Sequence, residues 1–66
     1  MYKNAKAEMV RKGLRLEDVA PLMEMPVSTL SQKLNGKRPM TLIEAKRFKN
    51  VVETDLPLEV LFEEVS

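Results

Sequence analysis

The chain contains no cysteine and no histidine. Without cysteine there is no disulfide, no thiolate nucleophile and no zinc–thiolate site. Without histidine the commonest general base is missing, and the two absences together remove the usual metal ligands. Carboxylates remain, but they are scattered and nothing pairs them. An enzyme is therefore not expected, and neither a metal nor a cofactor. No apolar run approaches the ~20 residues that a membrane helix needs, and the first residues lack the apolar core of a signal peptide. The expectation is a soluble, cytoplasmic domain with no membrane partner. Its 66 residues allow one domain spanning 1–66 and one modest core. A chain this short hides only ~60% of the surface that its unfolded form exposes. It leaves no room for a second, ligand-binding domain, so no small-molecule ligand is expected. No linker, repeat or low-complexity stretch interrupts it.

What is present is charge, arranged in blocks. The net charge is only +1, but residues 1–15 carry five cations against Glu8. Residues 16–31 carry Glu17, Asp18 and Glu24 with no cation. Residues 32–49 carry Lys33, Lys37, Arg38, Lys46, Arg47 and Lys49 against Glu44. Residues 50–66 are acidic again. Such blocks are either solvated helix faces or a local basic zone for a polyanion, whose binding works through local counterion release.

The pattern is all-α. A first helix is expected from Asn4 to Lys12, with Asn4 as N-cap and Gly13 just past its end. Ala5, Met9 and Val10 form its apolar side, joined by Tyr2. A second helix is expected from Leu16 to Met23, because Leu16, Val19, Ala20 and Met23 fall on one helical face. Its first turn carries Glu17 and Asp18, where the macrodipole favours anions. A third runs from Pro26 or Val27 to Leu34, with Leu30 and Leu34 inward and Asn35-Gly36 ending it. A fourth begins at Thr41, where Thr41 and Glu44 spell a capping box and Met40 staples against Ala45. Leu42, Ala45, Phe48 and Val52, with Ile43 and Val51 alongside, make its core face, and it ends near Glu53. A fifth, short helix covers Pro57 to Phe62. Leu58, Leu61 and Phe62 close the core, and residues 63–66 form a flexible or dimer-contacting tail. The five methionines read as core filler. Lys46, Arg47 and Lys49 read as an exposed face of the fourth helix.

Residues Leu14 to Arg38 read as two short helices joined by a tight turn and closed by Asn35-Gly36 and two cations. With the helix order around it, and the later TLIEAKRF and LPLEVLF segments, the chain resembles the lambda-repressor-like DNA-binding domains. More narrowly it is similar to the small Cro/CI-type regulators of bacteriophages and prophages. The resemblance spans about residues 3 to 62. It implies a compact five-helix fold whose second and third helices form a helix-turn-helix, with the third helix entering the DNA major groove. It places Val27, Ser28 and Gln32 at base edges, where Gln pairs with adenine and Val packs on a thymine methyl. Thr29 and Lys33 are secondary candidates on the same surface. Lys37, Arg38 and Arg15 are implied at phosphates. The implied function is a transcriptional repressor that occupies a palindromic operator as a homodimer. The dimer contact is expected from the fifth helix and the tail, because Val60, Leu61, Phe62 and Val65 offer apolar surface beyond what the core needs. The alternative is an antitoxin-type or protein-interaction module that keeps the fold.

Four positions depart from the family pattern. Glu24 stands where the turn normally has Gly, and a left-handed conformation there costs on the order of 1 kcal/mol. Pro21 lies inside the second helix and removes the hydrogen bond to the Glu17 carbonyl, which is expected to kink it. Leu16 stands where the family often has a phosphate-touching Gln. Arg15 stands where Ser, Thr or Asn caps the helix. Arg15 accepts no hydrogen bond, but its side chain has the reach for a phosphate.

Overall fold

The structure, a computed structural model, describes residues 1–64. Five helices follow in order: α1 (Lys3–Arg11), α2 (Leu16–Leu22), α3 (Val27–Leu34), α4 (Leu42–Val52) and α5 (Leu58–Leu61). There is no strand among the described residues. No helix there is long and apolar enough to cross a membrane.

The first three helices stop by the same local device. Leu14 N donates to Met9 O at 2.8 Å and Gly13 N to Val10 O at 3.0 Å, with Gly13 at φ +70°. Lys37 N donates to Gln32 O at 2.8 Å and Gly36 N to Lys33 O at 3.2 Å, with Gly36 at φ +79°. Both are Schellman closures, which satisfy the last helical carbonyls by turning one residue left-handed. Between them, α2 closes in the same way on Glu24: Met25 N reaches Ala20 O and Glu24 N reaches Pro21 O, each at 3.1 Å. Glu24 sits at φ +56°, so the strain expected from its missing glycine is present.

Two helix starts differ from expectation. α1 begins at Lys3 with Tyr2 as its cap residue and no side-chain cap. Asn4 is already within the first turn, and its amide instead donates to Val60 O at 2.8 Å. Pro57 precedes α5 as its cap residue instead of opening the helix. The expected capping box of α4 is formed: Glu44 N donates to Thr41 Oγ1 at 3.1 Å, and Thr41 N donates to Glu44 Oε1 at 3.0 Å. At α2 only half of a box is possible. Arg15 N donates to Asp18 Oδ2 at 2.9 Å, while the guanidinium has no acceptor to return. α2 continues through Pro21, and Met23 N still reaches Val19 O at 3.0 Å. Pro21 is exposed, so the carbonyl it frees is on the solvent side.

The core forms where α2 packs on α3 and α4, and α1 packs on α3 and α5. Val19, Ala20, Leu30, Leu34, Phe48, Val52 and Leu61 are buried, with Ala5, Met9 and Met23. Burying one such aliphatic or aromatic side chain contributes roughly 1.5–3 kcal/mol. Phe62 bridges Tyr2 and Phe48 edge to face, with ring centroids 5.3 and 5.6 Å away. The core face of α4 is narrower than its sequence suggests. Ala45, Phe48 and Val52 are buried, but Leu42 is 64% and Ile43 74% exposed. They occupy the first turn of α4, beyond the stripe that its neighbours cover. Val10 likewise faces outward instead of joining Ala5 and Met9.

Candidate functional site

α3 is anchored from beneath and free above. Leu30 and Leu34, four residues apart, are fully buried. The opposite side therefore points away from the core. Ser28, in the first turn, is exposed on that side, and Gln32 one turn later is half-buried; Val27 shares the face of Leu30 and Leu34 but is 43% exposed at the helix start. Ser28 and Gln32 share one stripe because they are four residues apart. Thr29 is half-buried at the flank. Among the described residues, no hydrogen bond or ion pair engages the side chains of Ser28, Gln32, Lys37 or Arg38.

The loop after α3 is folded back onto that helix. The Gln32 carbonyl accepts both Lys37 N at 2.8 Å and Arg38 N at 3.3 Å. Gln32 and the two exposed loop cations are thereby held in one neighbourhood. Between Glu24 and Glu44 the sequence has no carboxylate. The polar tip of α3 and its loop thus form a surface with hydrogen-bonding groups and positive charge.

Arg15 is exposed at the start of α2, but its charge is compensated locally. Its guanidinium lies 3.1 Å from Glu17 and 3.6 Å from Asp18. Exposed pairs of this kind contribute about 0–1 kcal/mol and yield readily to another anion. Arg15 and Val27 both line an open groove of about 550 Å3 between α1, α2 and α3. Leu14, Leu16 and Leu34 line the same groove and make it largely apolar.

Lys33 is placed differently from the expectation of an exposed contact. Its side chain is only 13% exposed, and its ammonium donates to both carboxylate oxygens of Glu44, at 2.6 and 2.5 Å. This bond, with the backbone bond from Thr41, holds the Glu44 carboxyl below the usual carboxylate range. The pairing crosses eleven positions, a separation with no periodic signal in the sequence. The α4 cations also divide. Lys46 is exposed, Arg47 reaches Glu24 at 3.0 Å, and Lys49 donates to Thr54 O at 2.8 Å.

The expected dimer surface contracts for packing reasons. Leu61 is fully buried and Phe62 is wedged between two rings, so neither is free for a partner. Val60 is 38% exposed and remains available. Val65 lies outside the described residues.

Sequence reading passed over one network altogether. Glu8, on α1, is buried and accepts from Thr54 Oγ1 at 2.5 Å and from two Arg11 nitrogens at 3.0 Å. The Arg11 guanidinium first, and then the Thr54 hydroxyl, hold the Glu8 carboxyl down at about 2. The same contact raises the Arg11 guanidinium above its ordinary value. The i, i+3 spacing of Glu8 and Arg11 is a visible signal. Nothing local marks Thr54.

No protein-family model, curated protein or solved structure matches this chain.

Proposed function

We propose that the chain is a sequence-specific binder of double-stranded DNA, a transcriptional regulator of the lambda-repressor-like helix-turn-helix class. Within that class it is a small phage or prophage repressor of Cro/CI type, working in the bacterial cytoplasm. One observation carries this reading: the free side of α3, with Ser28 and Gln32 and with Val27 exposed at the helix start, is joined through the Gln32 carbonyl to a loop bearing Lys37 and Arg38. Base edges are read by short polar and methyl-bearing side chains on a helix in the major groove. Phosphates are held by cations beside it, which set register. In this reading α2 and α3 are the helix-turn-helix pair, and Glu24 makes its turn. Arg15 exchanges Glu17 and Asp18 for a phosphate when DNA arrives. Thr29 touches DNA at the edge of the same surface.

One recognition helix covers few base pairs. Two copies on a two-fold symmetric operator, with half-sites about 34–36 Å apart, supply the affinity and selectivity needed. The bound dimer represses by blocking polymerase. Selection from a random duplex pool at near-physiological salt, with an anisotropy titration on the winner, tests the reading. A palindromic consensus with half-sites one turn apart is the expected result. Enrichment of nothing, with only weak salt-sensitive binding, overturns it.

A second reading draws on a specific observation. Val10, Leu22, Leu42 and Ile43 leave large apolar groups in solvent, 61–78% exposed. Such groups favour an antitoxin-type or protein-interaction module, in which these side chains meet a protein partner. A stable complex recovered without DNA supports it.

A further inference from the structure

The Glu44 carboxylate joins three parts of the molecule at one point. Its Oε1 accepts from Thr41 N at 3.0 Å and from Lys33 Nζ at 2.6 Å, and its Oε2 accepts from Lys33 Nζ at 2.5 Å. Lys33 is in the last turn of α3, Thr41 is the last loop residue, and Glu44 is in the first turn of α4. The segment enclosed, residues 35–41, is the loop that carries Lys37 and Arg38. Its near end is fixed by the two bonds to the Gln32 carbonyl. Its far end is fixed by the Glu44 carboxylate, and Lys33 ties that carboxylate to α3.

We propose that Lys33 and Glu44 are positioning residues for DNA recognition: their ion pair straps the Lys37–Arg38 loop across α3 and α4, without either residue touching DNA. This rests on the DNA-binding reading above and assigns Lys33 a role different from direct contact. Phosphate contacts fix the register in which base-reading side chains meet their bases. A strapped loop presents its cations at one place relative to Gln32. A loose loop still attracts phosphates, but no longer in register. The pair therefore acts on selectivity more than on general attraction to DNA.

The test compares Lys33→Met, Lys33→Arg and Lys37→Ala with the unaltered chain. Each is titrated against the duplex won by selection and against a scrambled duplex, over a range of salt. Thermal melts are recorded alongside, and binding is measured well below every midpoint. Amide hydrogen exchange at Lys37 and Arg38 is followed without DNA. Lys33→Met removes the ammonium but leaves the Thr41–Glu44 box to cap α4. It is expected to lose about tenfold on the selected duplex, the equivalent of one charge-assisted hydrogen bond. It is expected to lose little on the scrambled duplex and to keep the salt slope, because no phosphate contact is removed. Exchange at Lys37 and Arg38 should speed up. Lys33→Arg, able to pair bidentately with Glu44, should restore both. Lys37→Ala should weaken both duplexes alike and lower the slope by about 1.

A slope reduced by about 1 in Lys33→Met would show Lys33 on a phosphate and overturn the strap. Unchanged selectivity and exchange would show the pair to be idle, which overturns it equally. If the unaltered chain selects no duplex, the DNA reading itself fails, and the exchange data report separately whether the pair orders the loop.

Discussion

Thr54 donates its hydroxyl to a Glu8 carboxylate oxygen at 2.5 Å, across 46 positions of the chain. The same hydroxyl oxygen accepts from Leu56 N at 3.2 Å. Arg11 completes the site from one turn along α1. This buried polar knot ties the first helix to the connection between the last two. It is independent of the proposed DNA surface, so it offers tests of the fold alone.

Thr54→Val keeps the shape but deletes the donor to Glu8 and the acceptor for Leu56. It is expected to cost about 1–3 kcal/mol, since a buried carboxylate and a backbone amide each lose a partner. Thr54→Ser should recover most of that loss. Urea unfolding of the three chains gives the comparison. A valine variant with the original midpoint would show the hydroxyl to be dispensable.

The knot also makes stability depend on acid. Glu8 is lowered from an ordinary value of 4.5 to about 2 by Arg11 and then Thr54. A depressed folded-state value means that the unfolded chain binds the proton more tightly. The stabilisation is present above pH 4.5 and is lost as pH falls toward 2. Glu44, lowered chiefly by Lys33, shifts in the same direction. Unfolding midpoints should decline over that window, and Glu8→Gln should flatten the decline. An unaltered profile in the glutamine variant would assign the acid sensitivity elsewhere.

Glu24→Gly should stabilise the protein. Glu24 holds φ +56°, which costs a residue with a Cβ on the order of 1 kcal/mol and costs glycine nothing steric. The change gives up the exposed pair with Arg47, worth about 0–1 kcal/mol. A modest net gain is expected, visible as a Tm rise of a few degrees. Gly36→Ala is the converse case and should destabilise. It needs a Cβ at φ +79°, and that Cβ would sit 3.2 Å from the Met1 nitrogen.

On DNA, Gln32→Ala and Lys37→Ala should part company. Gln32→Ala is expected to cost ~1–3 kcal/mol on the selected operator and to relax preference at one base pair. Lys37→Ala should weaken all duplexes and lower the salt slope by about 1. Equal, sequence-blind losses from both would remove Gln32 from base reading.

Val60→Asp tests the proposed dimer. Val60 is the exposed apolar side chain of α5, and its substitution leaves the buried Leu61 in place. Sedimentation on operator DNA should show a shift toward one copy per duplex. Unchanged two-copy binding would place the contact elsewhere.

Much of the scaffold was legible in order of residues alone. Thr41 and Glu44 announced the start of α4 because a capping box is made within three residues. Asn35-Gly36 announced the end of α3 because only the next few backbone groups are involved. Leu30 and Leu34 were legible as inward because helical spacing puts them on one face. The free side of α3 followed from the same spacing. Asn4 misled because a cap-forming residue looks the same whether it precedes a helix or sits inside it. Leu42 and Ile43 misled because an apolar residue does not reveal whether a neighbour reaches far enough to cover it. Lys33 looked like a free cation because its partner is on another helix.

The sequence by itself therefore determined that the chain is helical, where its helices stop, which stripes of α2 and α3 face inward, and that the chain has no thiol and no imidazole. Each of these depends on side-chain identity or on contacts within one or two turns. Only the tertiary structure decided that Lys33 belongs to Glu44, that Glu8 belongs to Thr54, and that Leu42 and Ile43 stay outside the core. Those outcomes depend on how whole helices pack against one another, and packing brings together residues eleven to forty-six positions apart that no local rule connects.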